Sequence, residues 1–220
     1  MMTPYENYYS QLSLNEKKVA PKSLFYEGDF SLLLKSPKVA VVGSRDVTEI
    51  GILRTQKICE ELVKREITIV SGLAKGVDTV AHQVGLKSKT IAVLGTPLDV
   101  ANPIGNSSLL EEIKQKHLAI SQFDIGSKVY PSNFPARNKT MALITDATII
   151  VEASENSGTR HQAWEANRLG RQVFIMENIL NSNIKWAQDI LEYGGIVLTN
   201  KNFQYIFDSI TEYSLESEPF

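Results

Sequence analysis

The sequence has almost no cysteine, no long apolar run and no excess of charge of one sign. Its one cysteine, Cys59, cannot form an internal disulfide or supply a zinc site made of several thiolates. Every apolar run is far shorter than the roughly 18 residues that a membrane span needs, so no membrane partner is expected. The first residues carry Tyr, Asn and Glu where a secretory signal has a basic patch and an apolar stretch, which favours a cytoplasmic protein.

The charge balance limits the kinds of ligand that the whole surface could attract. Lys and Arg number 23 against 25 Asp and Glu, a net charge of -2, which argues against a broadly basic protein that coats duplex DNA. Any site for a polyanion must therefore be local. No group of His, Cys and carboxylate residues has the spacing of a metal site, and the sequence implies neither a metal nor another cofactor.

The order of apolar segments predicts an α/β fold. Short apolar segments without alternation are typical of strands that helices cover on both faces, and longer amphipathic segments separate them here. The predicted strands are 39–43, 67–71, 90–95, 118–122, 147–153 and 172–176. The predicted helices are 48–65, 77–87, 106–117, 135–145 and 158–170. This order indicates a doubly wound, mostly parallel, Rossmann-like sheet with helices on both faces.

The same pattern divides the chain into a core and two flanking segments. Residues 37–210 form the predicted Rossmann-like domain. Residues 1–36 are interpreted as a short helical and extended lead-in that packs on the edge of the sheet, because they are too few for a separate domain. Residues 211–220 are interpreted as an acidic tail.

Several side chains have a simple structural interpretation. His82 lies within a predicted helix and is expected to be a hydrogen-bonded structural histidine, whereas His117 precedes a strand and is expected to face solvent. Four apolar residues recur at helical spacing and predict the buried face of the helix over 48–65: Ile50, Leu53, Ile58 and Leu62.

The candidate site lies beyond the carboxyl ends of the strands. There, helix N-termini present unpaired N–H groups and the positive ends of helix dipoles. Four loops at those ends carry glycine, hydroxyl and basic residues, and the fold should bring them to one rim. The candidate residues are Gly43, Ser44, Arg45, Ser71, Gly72, Lys75, Gly76, Asp78, Arg137, Asn138, Lys139, Ser157, Gly158 and Thr159.

The residue types in these loops favour a phosphate ligand. Glycine permits close approach of the backbone, and the planar guanidinium of arginine suits phosphate oxygens. Asp78 is placed to cap the following helix, and Arg137 is expected at a solvent-facing helix entry. The loops lack both the GxGxxG pattern of nicotinamide-cofactor sites and the GKS/T ending of NTP-hydrolysing loops. They therefore predict a nucleotide or phosphodiester site, unless the glycines Gly72 and Gly76 serve only as turn residues.

Taken together, these motifs resemble the DNA-processing protein A family, also called Smf. The resemblance runs in order through LFYEGDF, VAVVGSR, SGLAKGVDTVAH, TIAVLG, FPARNKTMAL and GRQVF, over about residues 21–176. It implies binding of single-stranded DNA, protection of incoming DNA during transformation and loading of a RecA-type recombinase, usually by a homodimer. It also implies that the candidate loop residues line or shape a DNA-phosphate pocket.

The chain departs from the family pattern at several points. Asn102-Pro103 stands where the family usually has Tyr-Pro, and Met176-Glu177-Asn178 replaces an expected Pro-Gly loop. Neither a C-terminal winged helix nor an N-terminal helical domain is expected in this chain. These departures favour the binding of DNA or a nucleotide over a role in recombination.

A second resemblance leaves an alternative open. RNKTMALITDATIIVEASENSGT is similar to the corresponding segment of the Lonely Guy type phosphoribohydrolases, in which Arg137 would bind a sugar phosphate. The position of their catalytic carboxylate is Gln162 here, and an amide cannot act as a general acid or base. Glu165 lies one helical turn later and could substitute only in a different substrate pose. The chain is therefore interpreted as a non-enzymatic binder of single-stranded DNA, with a nucleotide sensor or a phosphoribohydrolase as the alternatives.

Overall fold

Eight strands build a single sheet. The computed structural model describes residues 3–35 and 37–216, with side chains as far as residue 210. The strands are β1 Phe25–Gly28, β2 Lys38–Val42, β3 Thr68–Ser71, β4 Thr90–Leu94, β5 Leu118–Ser121, β6 Ala147–Ile150, β7 Gln172–Met176 and β8 Ile196–Leu198. Their order across the sheet is β1-β5-β4-β3-β2-β6-β7-β8.

The sheet is doubly wound, as the sequence predicts. The chain builds outward from β2 to β3, β4 and β5, then returns to pair β6 with the other side of β2. All pairs are parallel except β1 with β5, which are antiparallel with Phe25 opposite Ser121. Strand order therefore reverses between β2 and β6, which is the place where ligands bind in open α/β sheets.

Helices cover both faces of this sheet. They are α1 Pro4–Gln11, α2 Leu14–Val19, α3 Ser31–Leu34, α4 Glu49–Lys64, α5 Val77–Gly85, α6 Ser107–Lys116, α7 Asn133–Ile144, α8 Thr159–Arg168, α9 Glu177–Leu180, α10 Lys185–Glu192 and α11 Phe203–Glu216. No helix among the described residues is both long enough and apolar enough to span a membrane.

Alternate residues of the central strands point into two different cores. Ala40 and Val42 of β2 face the core under α7, α8 and α10, whereas Val39 and Val41 face the core under α4, α5 and α11. Because both faces are covered, every residue of β2 is buried. This arrangement explains why the sequence shows continuous apolar runs rather than alternation.

Only half of the predicted apolar stripe of α4 reaches the core. Ile58 and Leu62 are buried, but Ile50 and Leu53 are 59% and 65% exposed, so the prediction for these two residues is wrong. The first turn of α4 lies beside Glu152, beyond the last residue of β6, where Thr48 hydrogen-bonds the Glu152 carboxylate. The early turns of α4 bury Gly51 and Thr55 instead, which leaves Ile50 and Leu53 on the exposed side of the helix.

The expectation that His117 faces solvent is also wrong. His117 is 6% exposed. It lies at the end of α6, where the antiparallel β1 strand covers the start of β5 and the amide of Asp29 donates to the His117 carbonyl over 2.7 Å. β1 approaches so closely that a side chain on Gly28, whose φ is +103°, would overlap this carbonyl.

The two flanking segments have the following structure. In the lead-in, α1 and α2 each begin with a capping box, at Thr3 and Ser13, and β1 joins the edge of the sheet. Position 36, where the predicted lead-in ends, is outside the described residues. At the other end α11 continues through Glu216, so the first part of the predicted tail is helical, and positions 217–220 of that tail lie outside the described residues.

Candidate functional site

A cavity of about 440 Å³ opens at the carboxyl ends of β2 and β6, where the strand order reverses. An adjoining cavity of about 160 Å³ shares Arg45, Phe134 and Arg137 with it. The candidate residues that line the larger cavity are Gly43, Ser44, Arg45, Asp78, Arg137, Asn138, Ser157, Gly158 and Thr159. Gly72 and Lys75 line the smaller one, and Ser71, Gly76 and Lys139 line neither.

The loop after β2 is held tightly against its neighbours. The Ser44 amide donates to the Glu152 carbonyl over 2.7 Å, and the Val77 amide donates to the Ser44 carbonyl over 3.2 Å. A Cβ on Gly43 would lie 2.6 Å from Val77 Cγ2, so glycine is needed for this close packing. Arg45, which follows Ser44, is exposed at the rim of the cavity.

Arg45 is positioned by an aromatic ring rather than by a carboxylate. Its guanidinium carbon lies 5.6 Å from the centre of the Phe134 ring, which is within the range of a cation-π contact. Phe134 comes from the first turn of α7 and lines both cavities. A guanidinium held in this way keeps its N–H groups available for an anion.

The loop after β3 is organised by Asp78. The carboxylate of Asp78 accepts hydrogen bonds from the amides of Gly72, at 3.2 Å, and Ala74, at 3.3 Å. The expectation that Asp78 caps α5 is wrong: Gly76, with φ +85°, is the N-cap and no side chain caps it. A Cβ on Gly76 would overlap the Ser44 carbonyl, so this glycine lets the two loops touch.

Arg137 is buried, which corrects the expectation of a solvent-facing side chain. Because α7 begins at Asn133, Arg137 falls in its second turn and points toward β4, where its Nη1 donates to the Val93 carbonyl over 2.9 Å. It is 5% exposed, and its Nε has no partner among the described residues. A Cβ on Gly72 would overlap this guanidinium, so the glycine provides the space that Arg137 occupies.

Burial dominates the protonation of both Arg137 and Asp78. Removal from water lowers the pKa of Arg137, and the negative charge of Asp78 opposes this change. Removal from water likewise raises the pKa of Asp78, against the opposing effects of Arg137 and the amides of Ala74 and Gly72. The two groups therefore support each other's charge beneath the cavity.

Lys75, Ser71 and Lys139 lie in different surroundings. Lys75 is exposed at the rim and pairs with the exposed carboxylate of Asp46 over 2.9 Å, which lowers the pKa of Asp46. Solvent screens such a pair, so a phosphate can replace Asp46 as the partner of Lys75. Ser71 is buried and donates to the Val41 carbonyl over 2.7 Å, and Lys139 is exposed on α7 away from both cavities.

The helices that begin at this edge differ in what covers their positive ends. The carboxylate of Glu152 accepts from the Thr48 amide over 3.0 Å and from the Thr48 hydroxyl over 2.6 Å, so α4 already carries an anion at its start. At the start of α8, within the described chain, no carboxylate accepts a hydrogen bond from the first turn, and Gly158 is the N-cap. The positive end of α8 therefore faces the cavity without an internal counter-charge.

Neighbouring side chains fix the start of α8. The hydroxyls of Ser157 and Thr159 lie 2.7 Å apart, and the Thr159 amide donates to the Ser157 hydroxyl over 3.2 Å. Asn138, which is buried on α7, donates from Nδ2 to the Gly158 carbonyl over 3.3 Å. This contact joins α7 and α8 on either side of the cavity.

Sequence reasoning about anion loops missed several residues that line the larger cavity, among them Phe134, Asn156 and His161. Gly95 indicates that a large side chain lies close to it, because a Cβ at Gly95 would come within 2.6 Å of the Phe134 ring. Gln162 lines the cavity and is 1% exposed; its Nε2 donates to the Thr148 hydroxyl over 3.2 Å. Glu165 does not line the cavity and instead pairs with Arg168 over 3.2 Å.

The arrangement can bind an anion, and the described residues contain no group of three or more side chains that could hold a metal ion. A family model described as DNA recombination-mediator protein A matches residues 1–207. The chain belongs to this family.

Relatives of this recombination-mediator family share both sequence and fold with the chain. The DNA processing protein DprA of Streptococcus pneumoniae is 40% identical over 190 residues, which are 85% of this chain and 67% of that protein. Protein Smf of Synechocystis is 40% identical over 182 residues, covering 80% of this chain and 46% of that protein. The chain thus spans about two thirds of one relative and less than half of the other.

A solved structure of DNA processing protein A from Helicobacter pylori is similar over most of the fold. It has a TM-score of 0.81 and 28% identity, and covers 92% of this chain and 94% of that one. That structure concerns the unique single-stranded DNA binding mode of the Helicobacter pylori protein. The mostly parallel sheet with helices on both faces is therefore the fold of a recombination-mediator family member.

Proposed function

We propose that the chain binds single-stranded DNA at the carboxyl edge of its sheet and performs no chemistry on the strand. The observation that carries the proposal is the positive end of α8, which faces the cavity without a carboxylate partner, with the exposed guanidinium of Arg45 on the same rim. Helix N-termini and arginine forks are the groups that proteins use to bind phosphate.

The candidate residues divide into two roles in this proposal. Arg45 and Lys75 are exposed at the rim and neutralise phosphates. The loop from Ser157 to Thr159 receives a phosphate at the start of α8. Asp78 and Arg137 are buried and act indirectly, because they hold the glycine loop after β3 in position.

The charge distribution favours single strands over duplex DNA. The net charge of the chain is -2, and the proposed cations lie at one edge of the sheet around a cavity of about 440 Å³. A duplex needs a longer basic surface, since it presents a rigid double row of phosphates. A flexible single strand can bring one or two phosphates into a confined site.

The family supports a role in DNA uptake or recombination, as a loading factor for a RecA-type recombinase. A homodimer and a cytoplasmic location are part of this proposal. The relatives named above as DNA processing proteins support it, as does the match to a family of recombination mediators. Because the chain spans only part of some of these relatives, a recombinase partner is proposed for the chain rather than transferred from them.

A phosphoribohydrolase activity has less support. The carboxylate that such an enzyme needs on α8 is replaced by Gln162, whose amide lines the cavity. The other candidate carboxylate, Glu165, is paired with Arg168. A nucleotide sensor is supported only by the volume of the cavity. Incubation with nucleoside 5′-monophosphates should therefore release no free base.

Fluorescence anisotropy with labelled single-stranded DNA, duplex DNA and mononucleotides over a range of salt concentrations tests the proposal. The single strand should bind most tightly, with affinity falling as salt rises. Arg45→Ala should weaken binding about 10- to 100-fold, the cost of a charged hydrogen bond, and reduce the salt slope by about 0.7. Arg168→Ala is the matched control, because Arg168 is exposed and pairs only with Glu165 in the described contacts.

Three results would contradict the proposal. They are equal affinity for duplex and single strand, no binding of single-stranded DNA at low salt, and an equal effect of the Arg45 and Arg168 substitutions. Tight binding of a mononucleotide without binding of the strand would favour the sensor. Chromatographic detection of free base that disappears in Glu165→Gln and persists in Gln162→Ala would make the protein a hydrolase.

A further inference from the structure

A second groove, larger than the candidate site, lies in the N-terminal lead-in. It has a volume of about 860 Å³ and runs between α1, α2 and the segment that follows α2. Its lining combines aromatic rings with amines: Tyr5, Tyr9, Lys17, Lys18 and Lys22. No candidate phosphate-site residue lines this groove.

The three lysines give this lysine-tyrosine groove a positive charge. Lys18 and Lys22 are exposed and Lys17 is half-buried. Among the described ion pairs, none includes any of the three, whereas Lys75 at the candidate site has a carboxylate partner. Glu6 also lines the groove, but its carboxylate accepts a hydrogen bond from the amide of Thr3 in the α1 capping box. The groove therefore has an excess of positive charge.

Two tyrosines supply a ring surface beside these amines. Tyr5 is fixed by a hydrogen bond from its hydroxyl to the Pro21 carbonyl, and its ring centre lies 6.2 Å from that of Tyr9. Tyr9 is 38% exposed, and the Lys17 amine lies 5.7 Å from its ring centre. An exposed ring next to amines is the combination on which proteins stack the bases of a single strand while neutralising its phosphates.

The groove and the candidate site lie near opposite ends of α7. The first turns of α7 provide Phe134 and Arg137 to the candidate site. Near its other end, Arg171 donates to the Leu143 carbonyl over 3.3 Å and also pairs with Glu16 of α2. The 12 residues of α7 correspond to about 18 Å at the usual helical rise. At about 3.4 Å per nucleotide of one strand, an oligonucleotide of about three nucleotides is too short to fill both places.

We infer that the lysine-tyrosine groove is a second contact for single-stranded DNA, used only by strands long enough to leave the carboxyl edge and pass along the lead-in. This inference rests on the proposed function and extends it. The ring surface distinguishes the groove from a simple patch of lysines and favours a nucleic acid over an acidic peptide, whose carboxylates gain nothing from an exposed tyrosine face.

The test compares two lengths of single-stranded DNA, about 3 and about 40 nucleotides, against the full chain and three variants. The groove variant is Lys18→Glu with Lys22→Glu, and a second variant is Tyr9→Leu. The control is Lys87→Glu with Lys201→Glu, which makes the same change of charge at two exposed lysines outside the groove and both cavities. All substituted side chains are exposed, and thermal unfolding checks that each variant is folded.

The expected result is a loss confined to the long strand. The lysine variant should bind the long strand at least about 10-fold more weakly, with a salt slope lower by about 1.4, because two phosphate contacts are removed. Tyr9→Leu should weaken the long strand without changing its salt slope, since a stacked base carries no counterion. The short strand should bind equally to all variants, and the control should match the unmodified chain.

Other results separate the failure of this inference from the failure of the proposed function. If both lengths bind the unmodified chain and the groove variants leave the long strand unchanged, the groove is not a DNA contact and the proposed function stands. If a poly-glutamate peptide displaces the long strand from the groove with equal affinity, the groove binds acidic peptides and the inference is wrong. If neither length binds the unmodified chain, both the proposed function and the inference are wrong.

Discussion

At the scale of single residues, Gly72 and Arg137 depend on each other. The chemistry of both could be predicted from the sequence, because glycine and arginine at strand ends favour an anion site. Their contact could not. The position of Arg137 depends on where α7 begins, and a helix start at Asn133 turns the side chain toward β4 and into the space beside Gly72. An arginine expected to touch the ligand is instead a buried support of the loop.

A double-mutant cycle on Gly72 and Arg137 measures this dependence. Gly72→Ala should lower the free energy of unfolding by about 1 to 3 kcal/mol, since its methyl group overlaps the guanidinium. Arg137→Ala should lower it by about 1.5 to 3 kcal/mol, through loss of a charged hydrogen bond. In the double variant the added cost of Gly72→Ala should nearly vanish, because the methyl group has space. Urea unfolding of the four proteins provides the comparison.

Additive effects would contradict this account and show that the cost of Gly72→Ala does not come from contact with the Arg137 guanidinium. Gly158→Ala is a suitable control, because a Cβ at Gly158 meets no atom within 4 Å. Its effect on unfolding should be small and should not change when Arg137 is substituted.

At the scale of elements, the starts of the helices decide where an anion can bind. The sequence shows glycine and serine loops before α4, α5 and α8, and on that basis the three starts look equivalent. They differ because Glu152, which is 104 residues beyond Thr48 in the chain, accepts hydrogen bonds from Thr48, the N-cap of α4. A contact of that range leaves no local pattern, so only the fold shows that the start of α4 binds a carboxylate and the start of α8 does not.

The carboxylate at the start of α4 can be removed without changing the proposed phosphate contacts. Glu152→Ala should lower the free energy of unfolding by about 1 kcal/mol, because the amide and hydroxyl of Thr48 lose their carboxylate acceptor. It should not weaken the binding of single-stranded DNA, because the substitution removes a negative charge near the rim. Chemical unfolding and anisotropy measure the two effects, with Glu66→Ala as a control for loss of an unrelated carboxylate. A fall in affinity at unchanged stability would instead make Glu152 part of the binding site.

At the scale of the whole molecule, the sheet could be predicted where helices cover it and not where they do not. The six central strands appear in the sequence as apolar runs, because both of their faces are buried. β1 is largely exposed and β8 has only three residues, so neither gives such a run. Because the sequence does not predict β1, it wrongly predicts that His117 faces solvent, whereas β1 covers this residue.

Stability of the whole fold should decrease in mild acid, in part because of His82. This residue is fully buried between α5 and the sheet, with Nδ1 2.8 Å from the Thr90 hydroxyl, and burial lowers its pKa from 6.5 to about 3. Between these two values the unfolded chain binds a proton that the folded chain does not. Folding stability should therefore fall as the pH decreases below about 6.5, by as much as about 1.4 kcal/mol per pH unit from this group.

The contribution of His82 is isolated by comparing the unmodified chain with His82→Gln, using urea unfolding between pH 7 and pH 4. The comparison is needed because Asp78 has a raised pKa and changes stability in the opposite direction, while His117 has a lowered pKa and acts like His82. The pH slope should be smaller in the variant. Equal slopes, or an imidazole resonance of His82 that titrates near pH 6 in the folded protein, would show that burial does not hold this ring neutral.

The pairing of β2 with β6 has a consequence for the time at which the protein becomes active. A growing chain that has reached residue 145 already contains Arg45, the glycine loop and most of the sheet. It still lacks β6, which sits against β2 with Val42 opposite Ile150, and it lacks the start of α8. During synthesis the proposed site is therefore among the last parts of the core to assemble, and an incomplete chain exposes one edge of β2 before it can hold DNA.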